Sequence, residues 1–394
     1  MASTNYPGSL DTYPVPNNGD TISVADHWLG PATIAIETEL GTDPAGSHTN
    51  VKNRLDQVDS AMGFKNRIIG GNFSTNPWQR GTTFNSASSG IYSADRWQNF
   101  DSSTATVNIV RSADAPTVAE AGVFSQHSLD VDVAGADAAL TAAQIYLIGQ
   151  KVEGYNVLDL GFGQSGTRYL TLSFWHKHTK TGTYCVALQN NAENRSYVAE
   201  YTQTTTNTWE KAELTIPVDT SGTWLYDNNT GIRLYFALAV GTDYHTSANT
   251  WSAGNYYSTS SQVNALDSTS NNFKIALVQL EAGDKATRFE TRSVGQELEL
   301  CQRYYQQQGI NFYTIARATG TGTGVPFVGY DFRQEMRAAP SVTDNSLWDT
   351  GTGYQVPVYS GISSTKFYFS GGTSISDGAV NWLNGGTVYM NAEL

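Results

Sequence analysis

The chain has 394 residues, a net charge of −13 and only 15% charged side chains, which leaves room for two or three domains and a sizeable core. A chain this acidic repels phosphate backbones and anionic lipid, and it holds no run of about 18 apolar residues to span a bilayer, so nucleic-acid binding and membrane insertion are not expected. Plentiful Gly, Ser, Thr, Asn and Tyr suit strands joined by many turns rather than long solvated helices.

Residues 1–46 are rich in Pro, Gly, Asn, Asp and Thr and too polar to build a core of their own. Met1-Ala2-Ser3-Thr4-Asn5-Tyr6 has neither a basic stretch nor an apolar one, so no secretory signal is expected. Pro31 and Gly41 bracket a brief helix by the asymmetry of proline near the start and glycine past the end. Residues 47–64 read as a second helix. Its residues Val51, Leu55, Val58 and Met62 are spaced 4, 3 and 4, the seam of a short coiled coil. An isolated helix this short is marginal, so the seam points to self-association.

Residues 65–292 change to period two. Leu170, Leu172 and Phe174 alternate with Tyr169, Thr171 and Ser173, and Ile232, Leu234, Phe236 and Leu238 alternate with Arg233, Tyr235, Ala237 and Ala239. Residues 210–216 form another half-buried strand, and turn signals such as Lys180-Thr181-Gly182 and Asp227-Asn228-Asn229 separate these runs. The expected fold is mainly β, an antiparallel jelly-roll β-sandwich. The stretch from Phe273 to Gly283 reads as a buried strand and turn. A capping box of Ser293 and Gln296 then opens a linker helix over 293–309, expected to run to about Gln307 and to end at Gly309. Residues 310–394 return to short strands, a small C-terminal β domain. Cys185 and Cys301 are far apart in sequence, so two free thiols are expected, with one disulfide as the alternative.

Several stretches together resemble one group of proteins. Asn66-Arg67-Ile68-Ile69-Gly70-Gly71-Asn72-Phe73 with Trp78-Gln79-Arg80-Gly81 is similar to the opening strand of bacteriophage tail-fibre jelly rolls, and Tyr92–Trp97 to their next strand entry. Leu172-Ser173-Phe174-Trp175 and Thr208-Trp209-Glu210-Lys211 resemble carbohydrate-binding jelly rolls of the family 4/9 type. Val278-Gln279-Leu280-Glu281 and Leu300-Cys301-Gln302-Arg303-Tyr304-Tyr305 are the most specific signatures, and Met336–Thr343 resembles the start of the C-terminal domain in the same proteins. The resemblance, to phage tail-fibre and tail structural proteins, covers nearly the whole chain. It implies an elongated homotrimer in the virion, made in the host cytoplasm and fixed to tail or adaptor proteins through its N-terminus.

No catalytic set stands out. Gly320, Gly322 and Gly324 lack the following helix of a phosphate loop, no G-x-S-x-G turn appears, and nothing singles out a carboxylate pair. His176 and His178 share one side of a strand and are read as exposed strand-end residues rather than metal ligands. Asp130, Asp132 and Asp137 are read as a solvated acidic loop rather than a calcium site. Neither a metal nor another cofactor is expected.

Sugar recognition uses flat aromatic faces beside amides and hydroxyls, often on loops at the end of a sandwich. On that ground Trp224, Tyr226, Trp251, Tyr256 and Tyr257 are the candidate glycan-binding residues, with Trp175 a weaker one. Trp348, Tyr354 and Trp382 are candidates for a distal tip. The expected function is a non-enzymatic tail fibre that attaches the particle to a host-surface glycan. The alternatives are a passive fibre or adaptor, and a glycan-degrading or deacetylating tailspike.

Overall fold

A computed structural model describes residues 64–315, 327–345, 358–370 and 380–394. The seam of Val51, Leu55, Val58 and Met62, the glycines at 320–324, and the tip candidates Trp348 and Tyr354 lie outside the described residues. Residues 65–394 form one compact unit.

Among the described residues, twelve strands precede residue 283: β1 (Thr83–Phe84), β2 (Gln98–Asp101), β3 (Thr106–Ser112), β4 (Ser128–Gly135), β5 (Ile145–Glu153), β6 (Tyr169–His178), β7 (Gly182–Gln189), β8 (Arg195–Gln203), β9 (Glu210–Pro217), β10 (Thr230–Val240), β11 (Trp251–Ala253) and β12 (Asn272–Ala282). They form two six-stranded sheets. The first has the order β1-β3-β4-β12-β6-β9 and the second β11-β8-β7-β10-β5-β2. All pairings of these strands are antiparallel. The sheets stack as a β-sandwich around one apolar core, with Ile109, Val131, Ile275, Leu172 and Phe174 from the first sheet meeting Tyr146, Ile148, Val186, Leu234 and Phe236 from the second.

The stretch at 66–73, similar in sequence to an opening strand, is instead a strap without ladder pairing of its own. Side-chain amides hold it. Asn66 Nδ2 donates to the Val278 carbonyl (3.0 Å), and its Oδ1 accepts from Leu280 N (3.0 Å). Gln150 donates to the Ile69 carbonyl (2.7 Å) and accepts from its N–H (2.9 Å). Gly71 approaches so closely that a Cβ there would sit 2.2 Å from the Val278 carbonyl oxygen. The strap lies where β12 bulges between Ala276 and Gln279, with Leu277 at φ 51°.

The capping box forms as the sequence implies. Ser293 Oγ accepts from Gln296 N (3.3 Å), while Gln296 Oε1 accepts from Ser293 N (3.0 Å). The helix it opens, Val294–Gln302, is shorter than expected. Tyr304 is drawn into the sandwich, where its hydroxyl donates to Glu153 (2.6 Å) and Arg96 lies 3.5 Å over its ring. The chain then enters β13 (Tyr305–Ile315), so Gly309 sits opposite Thr387 inside a strand rather than past a helix end.

The C-terminal strands are β14 (Phe327–Asp331), β15 (Ser341–Asp344), β16 (Val358–Ser360), β17 (Lys366–Ser370) and β18 (Val380–Asn391). Two three-stranded sheets result, β13-β18-β15 and β14-β17-β16, around Met336, Phe367, Val388 and Met390. This part also docks on the sandwich. Glu393 pairs with Arg96 and with Arg80 (3.1 Å), and Arg337 exchanges hydrogen bonds with the backbone and side chain of Asn228 (3.0 and 2.8 Å).

Two sequence expectations are corrected here. His176 and His178 are buried, at 1% and 0% exposure, because they continue the inward parity of Phe174 and β6 is paired on both sides. His178 stacks on Phe273 (4.1 Å), and His176 meets the Gln203 amide (2.8 Å). Burial depresses both imidazoles below the usual histidine range. Asp130 and Asp132 lie in β4 rather than in a loop, and Asp130 is buried. Asp137 is buried as well and accepts Thr104 N (2.9 Å). Among the described residues no group of three His, Cys, Asp or Glu side chains is placed to hold a metal. Cys185 and Cys301 are both free and buried.

Candidate functional site

The glycan-binding candidates separate into three places. Trp224 and Trp251 meet at one edge of the sandwich with Phe162 and Tyr197. Phe162 stacks on Trp224 (4.3 Å), and the two indoles meet edge to face (5.5 Å). The Trp224 indole donates to the Ser221 carbonyl (2.8 Å) and that of Trp251 to the Pro217 carbonyl (2.7 Å). The Tyr226 hydroxyl donates to the Phe162 carbonyl. Trp224 is only 8% exposed, so its faces serve packing rather than an open platform. Trp251 and Tyr226 are half-buried.

Trp175 stands on the outer face of the first sheet, half-buried against Val123, Ala276, Leu277 and Trp209. Trp209, which the sequence reading did not single out, donates its indole N–H to Asp114 (3.1 Å). Asp114 also accepts Lys177 (2.8 Å) and Lys274 (2.9 Å). Burial pushes this carboxyl up, but the hydrogen bonds from Lys177, Lys274 and Trp209 outweigh it and hold Asp114 at about 2. Asp130 lies 3.4 Å from Lys274, yet burial and the neighbouring Asp132 push it up to about 7.

Trp382 lies in β18 opposite Tyr313.

Tyr256 and Tyr257 belong to the third place, the outer face of the second sheet. Tyr257 is buried, packed edge to face on Tyr235 (5.6 Å) and tilted against Tyr244 (5.4 Å). It contributes to a second apolar layer with Leu147, Cys185, Ala187, Val198 and Ala237. Tyr256, Tyr244 and Phe100 are half-buried against that layer. The Phe100 ring meets Tyr235 edge to face at 5.1 Å.

Strand register sets a polar row beside these rings. Lys151, Arg233, Gln189, Ser196 and Ser252 lie opposite one another in turn across β5, β10, β7, β8 and β11. The next row is Gln98, Gly149, Tyr235, Ala187 and Val198. Arg233 pairs with Glu193 and donates to the Asn191 carbonyl (2.9 Å). Gln189 donates to Asn255 Oδ1 (2.8 Å) and the Tyr256 carbonyl (3.0 Å). Lys151 donates to a main-chain oxygen of Leu394 (2.8 Å), with its ammonium 5.6 Å from the centre of the Phe100 ring. Rings, an amide, a guanidinium and an ammonium on one face are groups that hold a polar ligand with an apolar side. Sequence reasoning found Tyr256 but missed Phe100, Lys151 and Gln189. The outward position of Arg233 and Tyr235 in the alternation of β10 was the available signal.

No family model matches the chain, and no curated protein matches it. Among solved structures, the enzymatically active domain of tailspike protein 4 from bacteriophage CBA120 is 12% identical with a TM-score of 0.31; the match covers 56% of this chain and 22% of that one. A putative sugar-binding protein from Bacteroides thetaiotaomicron is 12% identical, with 55% of this chain and 100% of that one covered and a TM-score of 0.29. A family 11 carbohydrate-binding module from Clostridium thermocellum, in complex with a mixed-linked tetrasaccharide, is 12% identical, with coverage of 51% and 94% and a TM-score of 0.25.

Proposed function

We propose that this chain is a phage tail fibre, a non-enzymatic virion protein that attaches the particle to its host by binding a surface glycan through a jelly-roll module. The observation that carries the reading is the outer face of the second sheet, where Phe100, Tyr244 and Tyr256 stand beside the row of Lys151, Arg233 and Gln189. Rings cover the apolar side of a sugar, while amide, guanidinium and ammonium groups fix its hydroxyls. Residues 1–46 fix the fibre to the tail, and three chains join along Val51, Leu55, Val58 and Met62. Both statements rest on sequence resemblance and pattern.

The test is binding of labelled full-length protein to host cells and to an immobilised glycan panel. Replacing Phe100 and Tyr256 together with Ala should weaken binding about tenfold, in line with the worth of ring contacts. Unchanged binding by a folded double variant places the site elsewhere. Light scattering should give the mass of three chains, and a monomer at micromolar concentration overturns the trimer. Release of reducing sugar or acetate from host envelope would favour the tailspike alternative. A passive fibre is the second reading, favoured by the internal packing of Trp224, Trp251 and Tyr257. Absence of any cell binding would support it.

A further inference from the structure

We infer that His176 and His178 form an acid-sensitive latch inside the sandwich: their neutral rings hold closed the connection 204–209, which carries the chain from one sheet to the other, and mild acid releases it. The inference does not depend on the glycan-binding reading.

β8 ends at Gln203 in the second sheet and β9 begins at Glu210 in the first, so residues 204–209 cross between the sheets. Gln203 is buried at the root of this connection. Its amide nitrogen donates to the carbonyls of Thr205 and Thr208, both at 2.8 Å. Its amide oxygen accepts from His178 N (3.0 Å) and meets Nδ1 of His176 (2.8 Å). The two carbonyls fix which way the amide points, so Nδ1 of His176 carries a proton and donates it. The His178 carbonyl accepts from Asn207 N (3.0 Å), a second tie to the same connection, where Asn207 holds a left-handed φ of 54°.

The surroundings of the two rings suit neutral imidazoles and oppose charged ones. The rings stack on one another (5.2 Å), and His178 is enclosed by Phe273, Tyr184 and Tyr201. Its Nε2 meets the Tyr201 hydroxyl (3.1 Å), while its Nδ1 is buried and completes no hydrogen bond among the described residues. A neutral ring tolerates one unused nitrogen, whereas an imidazolium needs an acceptor at both. The titratable groups facing the pair are Tyr184 from β7, Tyr201 from β8 and Glu210 from β9, and β12 contributes the apolar Phe273 and Ile275. Burial raises both tyrosines and keeps them neutral. Burial also pushes Glu210 up, but hydrogen bonds from Thr204 and Thr205 outweigh it and keep the carboxylate ionised in mild acid. Burial first depresses His176, against the Gln203 amide and Glu210, which favour its charge. Burial and then repulsion from His176 depress His178 further, which makes it the more sensitive ring. Both folded values lie below the unfolded one, so the stabilisation is complete above about pH 6.5 and is lost as pH falls below it.

The test is hydrogen exchange of the full-length protein, followed by mass spectrometry at pH 7, 6 and 5 and corrected for the intrinsic rate at each pH. An imidazole kept neutral only in the closed form shifts opening by about tenfold for each pH unit below about 6.5. Protection of residues 203–209 should therefore fall by about tenfold or more between pH 7 and pH 5, ahead of that of β10 in the core. His178→Phe keeps the stacking and His178→Gln keeps a polar group toward Tyr201; each should remove most of the fall. Glu210→Gln should loosen the connection at every pH and keep the fall, because the histidines remain. Protection of 203–209 that is equal at pH 7 and pH 5 overturns the inference. So does a fall that a folded His178 variant retains in full, or one that Glu210→Gln removes.

Discussion

The two outer faces of the sandwich carry the same unfavourable motif with different treatment. On the first sheet Lys274 of β12 is opposed to Lys177 of β6, as Lys151 is opposed to Arg233 on the second. Asp114 receives both lysines of the first pair and the Trp209 indole, and Asp130 lies beside Lys274. In the second pair Glu193 serves Arg233, and Lys151 donates to a main-chain oxygen of Leu394 (2.8 Å). Opposed like charges cost stability unless neutralised. One shared carboxylate holds both members of the first pair, whereas the members of the second are held by separate partners.

Removing the neutralising group should have the largest effect on stability. Asp114→Ala leaves two opposed lysines and an indole without their shared acceptor. It should lower stability by roughly 1–3 kcal/mol, the upper end applying to the more buried Lys274, with a fall in Tm by calorimetry. The same carboxylate gives an acid signature. Its folded pKa, about 2, lies below the unfolded value, so its contribution is present above about pH 4 and is lost as pH falls toward 2. In Asp114→Ala that loss should disappear from the pH–Tm curve.

Asp130 has the opposite sign. Its folded pKa is raised to about 7, so stability linked to it is full below about pH 4 and is lost as pH rises through 7. Asp130→Asn should melt higher than the parent at pH 8 and show little gain at pH 4. A gain equal at both values would mean that ionisation is not the cause.

A smaller effect sharpens the other face. Glu193→Gln removes the carboxylate that serves Arg233. It should change stability by no more than about 1 kcal/mol, read as a shift in Tm at low salt. Of similar size is Trp209→Phe, which deletes one hydrogen bond to Asp114 and should cost about 1 kcal/mol in denaturant unfolding.

Parts of this arrangement were legible in the sequence because they are local. The alternation through Leu170–Phe174 and Ile232–Leu238 marked the inward faces of β6 and β10, and Ser293 with Gln296 marked the start of a helix. The helix end was not legible. Tyr304 leaves the helical pattern to reach Glu153, 151 positions earlier, and no local signal carries that contact. The burial of His176 and His178 was missed for a related reason. Period two says which side chains share a face, but a neighbouring strand decides whether the end of that face is covered.

The candidate site divides along the same line. Aromatic composition and turn chemistry by themselves determined that Trp224, Trp251, Tyr256 and Tyr257 lie in the loops and short strands around the sandwich. Which of those rings stay available was decided by tertiary packing, since Trp224 stacks on Phe162 and Tyr257 packs edge to face on Tyr235, residues 62 and 22 positions away. The cation pair was decided there as well. Lys151 and Arg233 are 82 residues apart, and only the register of β5 against β10 brings them together, because side chains of opposite strands meet through backbone pairing and not through spacing along the chain.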